Sequence, residues 1–186
     1  MTAVTALWLP ILVSAVAVFV VSSIIHMTPL WHKSDFPRYA NEDRVLEALR
    51  PLAIPPGDYM MPRPANTAEM RSPEFMEKMK RGPAVMMTVF PPWNGSMAAN
   101  LSQWFVYCLV VSFLAAYIAG AALPPGSTGI RICQFAGTTA FIGYSVALWQ
   151  NSIWYRRSWS MTLKSTLDGI IYAAVTCLVM GWLWPK

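Results

Sequence analysis

VTALWLPILVSAVAVFVVSSII, residues 4–25, decides the fold class. The run carries no charged side chain. It is long enough to cross a hydrocarbon core of about 30 Å, which takes about 20 helical residues. A cleaved leader would start with basic residues and have a shorter apolar stretch. Residues 1–25 hold neither Lys nor Arg, so the segment reads as a retained span. Three more runs share its character: 98–123, without charge; 130–155, charged only at Arg131; and 167–184, with Asp168 at its start and Trp182 and Trp184 at its end. Trp104, Trp154, Tyr155 and Trp159 fall at span ends, where amphipathic rings prefer the headgroup level. The expectation is an all-α integral membrane protein forming a single membrane domain. Four transmembrane helices are joined in part by a long cytoplasmic loop, 26–97, containing two short helices.

Composition agrees. The chain has 186 residues, 55% hydrophobic and 12% charged, with a mean hydropathy of +0.41. Soluble domains carry about 25% charged residues, and disorder requires low hydrophobicity. The net charge of +5 is too small to suggest nucleic acid, since acidic residues accompany the basic ones. The bilayer is the expected partner, anionic headgroups adding about 1 kcal/mol per basic residue near the surface. Cys108, Cys133 and Cys177 stand singly in separate apolar segments. That spacing supports neither a disulfide framework nor a zinc knuckle, so all three read as small buried hydrophobes.

Orientation follows from basic residues near span ends. Lys33, Arg38 and Arg44 follow the first run; Lys78, Lys80 and Arg81 precede the second; Arg156, Arg157 and Lys164 fill the third connection. Only Arg131 and Lys186 lie on the other side. The pattern places the protein in the cell (inner) membrane with both termini outside and the long loop cytoplasmic.

Eleven of the fifteen prolines fall in that loop. Asn41 is a candidate N-cap, with Glu42 and Asp43 in the first turn and Val45, Leu46 and Leu49 on one face before Pro51. A second helix starts at Ser72-Pro73 and stops at Gly82-Pro83. GPAVMMTVFPPWNGSM, 82–97, is too short to span and too apolar for a free loop. It reads as an interfacial or re-entrant stretch, or as a docking surface for another subunit, with Met86 and Met87 as lipid or partner contacts. Eight of the twelve methionines lie between Met60 and Met97, suited to irregular apolar surfaces. A copper relay is the weaker reading, because thioether sites need short repeated spacing with Cys or His.

Few residues carry chemistry. His26, His32 and Asp35 cluster just after the first run. They form a possible metal set, or a proton-handling set at a quinone or lipid headgroup. The plainer reading has each histidine bonded to its neighbours. Asp168 is an ionisable residue in an apolar segment and therefore a functional candidate, expected at the cytoplasmic rim within reach of Arg156, Arg157 or Lys164. No other histidine exists, so a haem held by histidines from two helices of this chain is excluded, and no cofactor is predicted. Gln134, Thr138, Phe141 and Ser145 form a stripe facing a row of Tyr172, Thr176 and Met180, which reads as helix packing rather than a substrate groove. In WQNSIWYRRSW, 149–159, Trp154, Arg156, Arg157 and Trp159 are candidate lipid or partner contacts.

The leading expectation is a non-enzymatic accessory or structural subunit of a larger bacterial membrane complex, with a membrane-protein partner or as a homo-oligomer. One alternative is a membrane-embedded enzyme or redox or metal protein using His26, His32, Asp35 and Asp168 at the inner headgroup plane. Another is a lipid or small-solute carrier.

Overall fold

Pro10 does not interrupt the first apolar run, because the α-helix begins at Trp8. A proline in the first turn sacrifices no helical hydrogen bond. The computed structural model describes residues 1–28, 31–92 and 95–186. The element order is a 3-10 turn Val4–Leu7, α1 (Trp8–Met27), a 3-10 turn Trp31–Ser34, α2 (Glu42–Leu49), a 3-10 turn Arg50–Leu52, β1 (Gly57–Met61), α3 (Thr67–Met70), α4 (Pro73–Arg81) and β2 (Val85–Val89). There follow α5 (Ala98–Ala122), α6 (Gly129–Ile132), a π-helical turn Cys133–Gly137, α7 (Thr138–Tyr144), a 3-10 turn Val146–Leu148, α8 (Trp149–Tyr155) and α9 (Trp159–Leu183). The chain is mostly helical, and four stretches are long and apolar enough to cross a membrane: Val4–Met27, Ala98–Ala122, Gly129–Tyr155 and Trp159–Leu183. Residues 1–37 with 97–186 form one compact unit, and 38–96 form a second.

In the first unit, α1, α5, α9 and the broken third helix pack through small residues. Ala15, Ala115, Ala116, Ala119, Ala136 and Ala140 are fully buried, which lets backbones approach closely. One close approach is at Gly120, where Thr2 N–H donates to Gly120 O at 2.7 Å. A Cβ there would meet Thr2 O at 2.7 Å, so only glycine fits. One core cluster gathers Leu7, Leu123, Ile132, Met180 and Trp184; another gathers Val18, Ile25, Val111, Tyr144 and Tyr172. Outward faces stay apolar, with Ile24, Val106, Ile142 and Leu178 all more than half exposed.

Three expectations for this unit are corrected. The fourth helix starts at Trp159, not at 167. The hydropathy dip at Lys164 had hidden its first turns, and Asp168 therefore lies about 13 Å into α9 at 1.5 Å per residue. Cys133 and Cys177 are not free: they form a disulfide, with Cα atoms 4.7 Å apart and 44 residues between them in sequence. Their separation along the chain hid the pairing, which comes from helix packing. Cys108 alone is a free buried thiol. The inner face of the third helix is Ile132, Ala136, Ala140 and Tyr144, while Gln134 and Thr138 are exposed. The π-helical turn at Cys133–Gly137 inserts an extra residue and shifts the helical phase. Tyr172, Thr176 and Met180 do form a buried row on α9.

In the second unit the two expected helices are α2 and α4. Ser72 Oγ accepts from Phe75 N–H at 3.1 Å and Pro73 takes the first helical position. Asn41 precedes α2 without a side-chain capping bond. Added to them are α3, capped by Asn66, and an antiparallel pair joining Gly57 opposite Val89 to Met61 opposite Val85. Residues 85–89 of the supposed interfacial stretch are thus a β-strand, as their β-branched and methionine content permits. Trp93 in that stretch, and Pro29 between the two histidines, lie outside the described residues.

Candidate metal centre

Lys164, Asp168 and Tyr172 are spaced four residues apart on α9, so they share one face. That face meets the end of α1 and the turn Trp31–Ser34. Asp168 is 4% exposed. Trp31 Nε1–H donates to Asp168 Oδ1 at 2.9 Å, and His32 Nε2 stands 2.8 Å from Asp168 Oδ2. The other ring nitrogen, His32 Nδ1, lies 2.7 Å from Asp35 Oδ2. Lys164 Nζ donates to Asp35 Oδ1 at 2.6 Å and to Ser34 Oγ at 2.7 Å. His26, in the last turn of α1, has its ring centroid 4.5 Å from that of His32, and its Nε2 lies 3.5 Å from Tyr172 Oη.

All four residues singled out from the sequence therefore meet in one place. Asp168 is paired with His32 and Trp31 rather than with Arg156, Arg157 or Lys164, because α9 begins two turns earlier than expected. Lys164 instead holds Asp35. Trp154 and Trp159 are exposed, as are Arg156 and Arg157. Met86 is exposed and Met87 half-buried on β2. The sequence reading missed Trp31, Tyr172 and Lys164 as parts of the cluster. The four-residue rhythm of Lys164, Asp168, Tyr172 and Thr176 is the signal that could have found two of them.

His32 between two carboxylates has a consequence for protons. A neutral imidazole has one N–H. Both contacts are hydrogen bonds only if the ring carries two protons or one carboxyl carries its own. Burial alone pushes the Asp35 carboxyl up, but the hydrogen bonds from His32 and Lys164 outweigh it and hold it below the usual carboxylate range.

The donor atoms of His26, His32 and Asp168 all lie within 4.8 Å of one another. No family model, curated protein or solved structure matches the chain. The chemistry must therefore be read from the residues themselves. Two imidazoles and a carboxylate are the donor set of an open transition-metal site. Asp35 holds the far nitrogen of His32 and Trp31 donates to the far oxygen of Asp168, so both candidate ligands have outer hydrogen-bond partners.

Beside the cluster, between α1 and α5, lies a cleft of about 570 Å³ lined by Ser22, Ser23, His26, Met27, Met97, Leu101 and Trp104. Ser22 and Ser23 hydroxyls donate to Phe19 O at 2.9 and 2.8 Å, and Trp104 Nε1–H donates to Ser22 Oγ at 2.7 Å. The polar groups of the wall are thereby satisfied within the wall. Trp104 also stacks on Tyr107 at 5.5 Å and meets Tyr172 edge-on at 6.2 Å, closing the cluster from below.

Proposed function

We propose that this chain is a membrane-embedded metalloprotein in which His26, His32 and Asp168 hold one divalent first-row transition ion. One observation carries the reading. Three donors from the two ends of the sequence converge within 4.8 Å, and two of them are held by half-buried outer partners, Asp35 and Trp31. A purely structural ion pair has no need of such outer partners. Three protein donors leave coordination positions open, the feature of catalytic sites rather than closed structural ones. When bound, such an ion supplies Lewis-acid or redox chemistry. The chain's own groups bind and orient it: Lys164 holds Asp35, Asp35 holds His32, and Trp31 holds Asp168.

Elemental analysis of the purified full-length protein tests this reading. The expected result is one bound transition ion per chain, lost in His26→Ala, His32→Ala and Asp168→Asn. A wild-type protein that stays metal-free after dialysis against Fe(II), Zn(II) and Mn(II) overturns it.

Location is part of the proposal. The metal cluster and the Arg156-Arg157 pair lie at the cytoplasmic end of the spans, with both termini outside and the long loop cytoplasmic. The crowding of basic residues at that end supports this orientation. The disulfide belongs to the half of the bundle away from the cluster, and disulfides persist in oxidising compartments.

A second reading, an accessory subunit of a larger bacterial membrane complex, is supported by a different feature. Met60, Met61, Met76, Met79 and Met86 in the 38–96 unit are all at least 40% exposed, an adaptable apolar surface suited to a protein partner. Co-purification of a second membrane protein in mild detergent is its expected signature, and a lone monomer contradicts it.

A further inference from the structure

We infer that the cleft between α1 and α5 binds a lipid-soluble molecule with a long apolar body and one uncharged, oxygen-bearing head, presented to the metal centre at His26. The inference rests on the metal reading for what happens to the head, and on the cleft alone for what is bound.

Size comes first. A cleft of about 570 Å³ lies inside the range of about 300–1,000 Å³ typical of small-molecule sites. Its body is apolar: Met27, Met97, Leu101 and the Trp104 ring dominate the wall. The serine hydroxyls and the indole N–H already have partners within the wall. Their donors are thus spent and only serine oxygens remain as acceptors, so a body rich in acceptor groups is disfavoured.

Polarity enters at one end only. Among the described residues His26 is the single ionisable one of the lining, and its ring also belongs to the cluster with His32 and Asp168. The described residues of the lining include no Lys or Arg, and the nearby Lys164 ammonium is committed to Asp35 and Ser34. The cleft's own side chains therefore offer an anionic head no cation, and the Asp168 carboxylate beside His26 opposes it. An alcohol or carbonyl head needs only one hydrogen bond or one open metal position. Met27 and Leu101 of the lining are both exposed, on helices long and apolar enough to cross a membrane. Entry from the lipid phase follows from that placement.

Photolabelling of the full-length protein in nanodiscs tests the inference, with hexadecanol carrying a mid-chain diazirine as probe. Palmitate carrying the same diazirine is the charged control. The expected result is adducts on Met27, Met97 or Leu101 with the alcohol, competed away by unlabelled hexadecanol and weak with palmitate. Leu101→Trp and Ser23→Leu, two independent ways of filling the cleft, are expected to lose those adducts while retaining the wild-type metal content. Equal labelling of Val16, Val110 and Leu178 on the outer faces overturns the inference, as does equal labelling of the cleft by palmitate. Metal analysis of the same samples separates the two readings. A labelled cleft in a metal-free protein removes the metal centre and leaves the binding site. A metal-loaded protein with an unlabelled cleft removes the binding site alone.

Discussion

Asp35 touches no atom of the proposed ion, yet its carboxylate decides which nitrogen of His32 can reach it. In the tautomer whose Nδ1–H donates to Asp35 Oδ2, Nε2 is the lone-pair nitrogen that an ion beside Asp168 and His26 would use. Outer partners of this kind are worth about 10–100-fold in metal affinity. Asp35→Asn is therefore expected to weaken metal binding by about that factor without abolishing it, measured by chelator competition. A loss as complete as that of His32→Ala would make Asp35 a ligand instead. The Asp35 carboxyl also sets a pH window for stability. Its folded pKa is lowered below the ordinary 3.8, so its stabilising contribution is fully present above that value and is lost as pH falls through the lowered folded value. Thermal melting of the metal-free protein is expected to be flat in this contribution above about pH 5 and to fall in acid, and Lys164→Gln is expected to shrink the acid-sensitive part. At this scale the sequence was legible by residue type. His26, His32, Asp35 and Asp168 stand out because ionisable groups are rare in and beside apolar runs. Their meeting was not legible, because His32 and Asp168 are 136 positions apart and only the packing of helices joins them.

The element that shapes the site from behind is the break in the third span. Ser145 leaves helical geometry at φ −129°, and its side chain lies against Gly169, one residue after Asp168. A Cβ added at Gly169 would overlap Ser145 Oγ and stand 3.0 Å from Ser145 Cβ. Gly169→Ala is expected to destabilise the bundle by about 1–3 kcal/mol, read by thermal unfolding in detergent. Ser145→Gly in the same background is expected to recover most of the loss, whereas simple additivity of the two would show that they do not touch. The Cys133–Cys177 bridge belongs to the same pair of helices. Thiol titration of denatured, unreduced protein is expected to find one free thiol, Cys108, and three after reduction. Three before reduction contradicts the bridge. Closing a loop of 44 residues is worth about 2–4 kcal/mol, so the reduced protein is expected to melt earlier. The four spans were legible from hydropathy, three of them to within two residues at either end. The start of α9 and the inner face of the third helix were not. A lysine in the second turn lowered the local hydropathy, and one π-helical turn displaced the stripe that a regular period assigned to the interior.

At the scale of the whole bundle, the proposed function belongs to one end. Leu7, Leu123, Ile132 and Trp184 pack the other end tightly, and the first residues are tied down there by Thr2 Oγ1 donating to Leu123 O at 2.9 Å. The cluster end holds buried Asp168, Tyr144 and Tyr172, and the cleft. A reporter fused after Lys186 is expected to read as external, and a cytoplasmic readout contradicts the proposed orientation. The central claim is that one ion joins the two ends of the chain through His26, His32 and Asp168. X-ray absorption at the edge of the bound metal in the full-length protein tests it most directly. The account predicts two imidazole nitrogens at about 2.0–2.1 Å and a carboxylate oxygen at about 2.0–2.2 Å, with one imidazole lost in His26→Ala. A shell without imidazole scattering, or one unchanged by that substitution, contradicts it.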